Sequence, residues 1–487
     1  MKIILEIISV FTEEDKQDFL RYLQKKNRRG DTKNSLLFTL IDSGQTEHID
    51  VTIYGKPSKN AYHALCKRLQ DALIDFLASK SFATETNEEM EIFKLILAAR
   101  IFFEHQQYKI AFKTLDKAEK NAKEFELYSI LTEIYHTKIQ YAHCHSKLIL
   151  SNLFKEAQQN LQYFHLEHRL NMAYAAIQAQ LRKTPEKTIV DIVQDSFKEF
   201  GIKIEHSLTY KSLFQLISSV VEAAKHQSDF YSVSNFINEA YTVVEAKQDY
   251  YKVDKHLYYH LEILNLMTVF YFRNKDFKTS KKFYAKMAME LKKRNGVYVN
   301  RFLEELTLNK ALIENFTGEG AVAIETLSTY PKESLHIQLT LAMSLLQQNK
   351  VKESYIILKN FTHTDSWYEK KLGWIWVVRK SILEILVLIE LDKLEVVLSR
   401  LQSFKNKFSK RLNREGEERA NDFIRLVSLY YDKPKEVTSV DFKEKVETTF
   451  NWIGREREDI FVMSFYAWLK AKMEQRDLYE VTLELVG

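Results

Sequence analysis

The 487-residue chain has only 11 glycines and 4 prolines, too few turn-formers for a long β-rich protein, so the sequence predicts helix throughout. Seventy-one Lys and Arg against 66 acids leave a formal charge of +5, too slight an excess to imply nucleic acid. Two cysteines, Cys66 and Cys144, exclude a disulfide framework and point to a reducing, cytoplasmic compartment.

Residues 1–11 are apolar but too short to span a bilayer, and no later window reaches eighteen uncharged apolar residues, so no membrane is expected. Thr12 followed by Glu13, Glu14 and Asp15 reads as an N-cap with acids in the first turn of a helix. That helix should run to about Lys26 with Phe19, Leu20, Tyr22 and Leu23 inward, and 27–30 should end it. A short helix is expected over 35–41. Residues 47–54 stay open: Ile49, Val51 and Ile53 alternate as in a strand, yet Thr46 could cap a helical turn. After the break at 55–58, Ser58 is placed to cap a long helix from Lys59 to about Leu77, with Ala61, Leu65, Leu69, Ala72, Leu73 and Phe76 as its apolar stripe. Residues 1–83 thus form a small helical domain, and the polar run 84–91 is the expected linker.

From residue 92 onward a two-helix pattern recurs, clearest between Leu261 and Leu291. There Thr268 is followed at offsets of three, nine, four and three by Tyr271, Ser280, Tyr284 and Met287, with a polar turn at 273–276. Small residues let two antiparallel helices approach, and aromatics fill the groove beside the contact. Ala99, Phe102, Ala111, Leu115 and Ala118 repeat the offsets, and looser copies start at Val221, Ala311, Ala342 and Ile385. Ala311 brings a charged Glu314 to an apolar position.

This pattern resembles the tetratricopeptide repeat, carried by Tyr271-Phe272 and Asp276-Phe277, with Ser280 and Met287 where that family usually has alanines and Lys275 in place of the turn glycine. The resemblance implies an all-α fold: a right-handed superhelical solenoid of antiparallel pairs over 92–486, subdivided near 182–206, behind the small domain 1–83. Residues 125–181 should hold two or three long helices. Thr184 and Pro185 look like an N-cap and first helical position, with Gly201 closing that helix. The piece 460–486 should be the last helical pair that closes the solenoid.

No phosphate-binding glycine motif and no GxSxG elbow occurs, so neither an enzyme nor a cofactor is expected. His256 and His260 share a helix face, and Glu133 with His136 and Glu333 with His336 have ExxH spacing. Each needs further ligands that the sequence does not supply, so all are read as packing or surface histidines and no metal is expected.

Residues 54–73 resemble the recognition-helix region of bacterial regulators that join a winged helix to a tetratricopeptide-like domain. Lys25, Lys26, Arg28, Arg29, Lys59, Lys67 and Arg68 could then meet phosphate, although residues 1–83 hold 13 Lys and Arg against 11 acids, a net of +2. The expected function is a non-enzymatic scaffold that binds a protein or peptide in a concave groove, with Tyr231, Asn235, Tyr271, Asn274 and Lys278 as groove residues. The alternative is a transcriptional or signalling regulator whose N-terminal unit binds DNA.

Overall fold

The computed structural model describes residues 2–8, 11, 13–26, 32–45, 48–84, 88–181, 188–203, 208–227, 230–250, 256–331, 333–414, 418–449 and 460–487. Among these, the regular elements are 25 α-helices and short 3₁₀ turns, with no strand. No helix among them is long and apolar enough to cross a membrane. Contacts divide the chain into two compact units, residues 1–161 and 162–487. The boundary falls inside the helix Leu150–Leu181.

In unit 1 the buried apolar residues form two clusters, one on each side of 84–91. The first belongs to the helices Lys2–Ile8, Glu13–Lys26, Lys33–Asp42, Ile49–Tyr54 and Lys59–Thr84. Phe19 is its centre, 4.9 Å from Phe38 and 5.3 Å from Phe76. The segment left open is helical: its N-terminus is entered through His48 at φ 53°, Ile49 is buried, and Gly55 at φ 71° closes it. Asp50 fastens this turn by accepting from the Ser58 amide at 3.0 Å. The helix from Lys59 runs on to Thr84, with Ala61 exposed and its carbonyl accepting from Tyr54 Oη at 3.1 Å. Thr12 and Thr46 lie outside the described residues.

The second cluster is built on the antiparallel pair Glu88–Glu104 and Tyr108–Glu124 with the helix Tyr128–Gln140. Ala99, Ala111 and Ala118 are fully buried where the axes approach. A buried Lys138 bonds Asp116 at 2.6 Å and also Glu119, which Lys123 holds from the other side at 2.6 Å.

Unit 2 holds further pairs: Leu257–Arg273 with Phe277–Glu290, Val299–Phe316 with Gly320–Ser328, Leu335–Gln347 with Val351–Lys359, and Trp374–Glu390 with Leu394–Arg414. Every small position of the repeated pattern is buried here, from Thr268 and Ser280 through Ala311, Ala323, Ala342 and Ser354. Glu314, the charged exception, accepts a hydrogen bond from Thr326 Oγ1 at 2.8 Å. The helix Ile189–Glu199 is capped by Thr188, whose Oγ1 accepts from the Asp191 amide at 3.2 Å. Thr184 and Pro185 lie outside the described residues.

One backbone event recurs in both units. Gln106, Glu126, Lys275, Asn349 and Asp392 all take the left-handed conformation two residues past a helix end, with φ between 52° and 62°. In each turn the next amide reaches back five residues, as Asp276 does to Tyr271 O at 3.0 Å and Lys350 to Leu345 O at 2.8 Å. This is the Schellman closure, which usually employs glycine. Gly318, at φ 93°, occupies the same place between Phe316 and Gly320.

Candidate functional site

The helix Ile460–Glu474 has nine of its fifteen residues buried, and they lie on several sides. A helix apolar all round must be enclosed, and side chains of the earlier helices Leu257–Arg273, Trp374–Glu390 and Glu418–Asp432 pack against this one. Phe461 lies against Phe272 and under the guanidinium groups of Arg273 and Arg379, 5.0 and 4.5 Å from the ring centre. Phe465 meets Phe423 at 6.0 Å, and Trp468 meets Tyr430 edge-on at 5.5 Å. Trp468 Nε1 donates to Glu390 Oε1 at 2.6 Å, and Lys472 bonds the same carboxylate at 2.7 Å. From the paired helix Leu478–Val486, Tyr479 Oη donates to Asn315 O at 2.7 Å. The C-terminal pair therefore does more than follow the preceding helices in series. It reaches back across the first helices of the earlier pairs, because that is where its aromatic residues can be buried.

Beside this helix a pocket of about 200 Å³ opens. Leu308 and Leu312 line it from Val299–Phe316, Leu339 and Met343 from Leu335–Gln347, and Trp376 and Leu383 from Trp374–Glu390. The i, i+4 and i+7 spacings put each set on one helix face. Phe461 and Phe465 close the remaining wall, and His336, Thr340 and Arg379 supply the polar groups. None of the described lining residues is acidic. Thr340 Oγ1 donates to His336 O at 2.9 Å. Trp376 is 7% exposed, and its buried indole N–H has no hydrogen-bond acceptor among the described residues.

The five residues expected in a groove do not line this pocket. Tyr271 Oη donates to Asn238 Oδ1, and its ring stacks on Phe283 at 5.4 Å; burial pushes its phenol above the ordinary range. Asn274 Nδ2 donates to Phe230 O and Ser234 Oγ, both at 3.3 Å. These two polar groups fasten one helix pair to the helix Ser234–Tyr250. Tyr231 is 53% exposed just before that helix, and Asn235 and Lys278 are exposed.

Of the basic residues considered for phosphate, Lys26 Nζ is 2.8 Å from Asp75 Oδ2 and 3.1 Å from Tyr22 Oη. The Asp75 hydrogen bond holds this ammonium above its usual range. Lys25, Lys59, Lys67 and Arg68 are exposed, and Arg28 and Arg29 lie outside the described residues.

The histidines have packing partners. His256 stacks on Tyr210 at 5.4 Å, and His260, 1% exposed, has Nδ1 3.6 Å from Glu290 Oε2. Glu133 pairs with Arg100 while His136 is exposed. Among the described residues no group of three His, Cys, Asp or Glu is placed to hold a metal.

Sequence reasoning missed Trp376, Arg379, Phe461 and Phe465. The i, i+4 spacing of Phe461 and Phe465 was a visible signal for a helix face, but its counterparts lie far away in the chain. No family model matches this chain, and no curated protein matches it.

Proposed function

We propose that the chain is a non-enzymatic interaction scaffold whose unit 2 pocket receives an apolar side chain from a partner peptide or helix. The reading includes a tetratricopeptide-like, right-handed arrangement of the helix pairs. One observation carries it: a partly open pocket walled by aliphatic and aromatic residues from four helices, with a few polar groups among them. Sites of that composition take a ligand's apolar part into the walls and orient it by the polar groups. The contact patterns of Tyr271 and Asn274 support moving the binding site from those residues to the pocket, since both are engaged between helix pairs.

A comparative pull-down tests the proposal. Full-length protein and a Met343→Trp variant, which fills the pocket, are exposed to native cell extract after circular dichroism shows matching helicity and melting temperature. A protein retained by the first and lost from the second supports the pocket. Equal retention of every captured protein by both overturns it.

A further inference from the structure

We infer that the outward face of the helix Phe277–Glu290 docks on an anionic membrane surface, at a site that owes nothing to the unit 2 pocket. None of the described helices crosses a bilayer, but lying on one requires only a charged face with apolar groups to sink between the headgroups. Within 277–292 the exposed residues are Lys278, Lys281, Lys282, Ala285, Met289 and Lys292. Counted from Lys278 they fall at offsets of 3, 4, 7, 11 and 14, which is one face of a helix. No acid shares that face, and the one acid of the helix, Glu290, is buried. Segment 277–294 holds seven Lys and Arg against Glu290 alone, a net of +6 on a chain whose whole is +5.

A second basic stretch, in the helix Leu394–Arg414, shows what folding does with lysines it uses itself. There Arg400 pairs with Glu384, Lys407 with Asp365 and Arg411 with Glu369. Lys278, Lys281, Lys282 and Lys292 have no such acid among the described residues. Lys278 instead has two like charges three and four residues on, close enough to repel, and an anionic surface would relieve that. The chemistry of the face selects the partner. Bidentate grip on a peptide carboxylate or a nucleic-acid phosphate favours arginine, and unpaired bases need exposed aromatic rings. This face offers neither. Lysines clustered on a helix suit the diffuse field of acidic lipids. Met289, 61% exposed, lies among them, and Val297, 60% exposed, follows the helix; these are the groups that would enter the headgroup layer.

The test sediments the full-length protein with vesicles of phosphatidylcholine alone and with vesicles of equimolar phosphatidylcholine and phosphatidylserine. The protein should pellet with the second and not the first, and less as salt is raised. Lys278→Gln combined with Lys282→Gln should weaken binding about twenty-fivefold, about fivefold for each charge lost near the surface. Lys59→Gln combined with Lys67→Gln removes the same charge from unit 1 and should leave binding unchanged. Met289→Gln, which alters no charge, should weaken it several-fold by taking away an apolar contact. Circular dichroism matching the wild type in every variant separates lost docking from lost fold. Equal pelleting with both vesicles, no pelleting with either, or binding that survives the paired change at Lys278 and Lys282 overturns the inference. Duplex DNA or polyglutamate held as tightly as the acidic vesicles at the same salt, with Met289→Gln without effect, assigns the face to a soluble polyanion and overturns it too.

Discussion

Ser280 Oγ donates a hydrogen bond to the main-chain oxygen of Thr268 at 2.9 Å, across the closest approach of two antiparallel helices. Ser354 does the same to Ala342 at 2.7 Å in a later pair. Both serines are fully buried, so size and hydroxyl are both in use. Ser354→Val should overfill the contact and strand its donor's partner, costing about 1–3 kcal/mol. Ser354→Ala should cost about 1 kcal/mol. Urea unfolding checks the order, and a valine variant as stable as wild type would refute it.

The left-handed turns predict gains. A non-glycine residue in that conformation costs roughly 1–2 kcal/mol, and Gln106 sits there at φ 57°. Gln106→Gly should stabilise unit 1 by up to about 1 kcal/mol after the entropy lost from the unfolded chain is offset. The readout is the urea midpoint at unchanged slope.

Gly320 predicts the opposite. A Cβ there would stand 2.2 Å from Gln348 Nε2 and 2.8 Å from Tyr479 Cζ. Gln348 can swing away, but Tyr479 can move only by loosening its bond to Asn315 O. Gly320→Ala should destabilise by about 1–3 kcal/mol and speed amide exchange within Leu478–Val486, read by mass spectrometry. Unaltered exchange there would count against Tyr479 as the anchor.

Acid should release a second contact. His260, whose Nδ1 stands 3.6 Å from the carboxylate, together with Lys293 at 2.9 Å holds the Glu290 carboxyl down at about 2 against partial burial. A folded-state value below the unfolded one contributes stability that is complete above the unfolded carboxyl range, near pH 4–5, and fades as pH falls towards 2. Glu290→Gln should lower stability at neutral pH and flatten the decline across that window. Glu119 in unit 1 behaves alike: burial opposes its charge, but Lys123 and Lys138 outweigh it and hold it at about 2.

The scaffold reading also predicts no mobility shift with duplex DNA at low salt. Lys26 is already paired with Asp75, and the helix Lys59–Thr84 runs unbroken where a wing would follow. A shift that weakens steeply with salt and is lost on replacing Lys59, Lys67 and Arg68 together would favour the DNA-binding alternative.

Local signals in the sequence carried much of the fold. The spacing from Thr268 to Ser280 places two helices and their contact, because close helix approach demands small residues at a fixed interval. Three things escaped it. The recurring turn is a backbone conformation shared by Gln, Glu, Lys, Asn and Asp, with no common side chain. Residues 49–54 alternate like a strand yet form a helix, with Ile49 buried and Asp50 bonded to the Ser58 amide. The pocket joins Leu308 to Phe465, and Trp468 meets Glu390 across 78 residues of chain; no local period encodes such a meeting. Tyr271 and Asn274, expected to face a groove, hold one helix pair to the helix before it.

Stacked helix pairs that touch only their neighbours unfold like a row of beads, fraying from whichever end is weaker. In unit 2 the return of Ile460–Glu474 to Phe272 and Glu390 ties late beads to early ones. Such a clasp should make residues 257–487 melt as one block, so that damage at Trp468 is felt two hundred residues upstream.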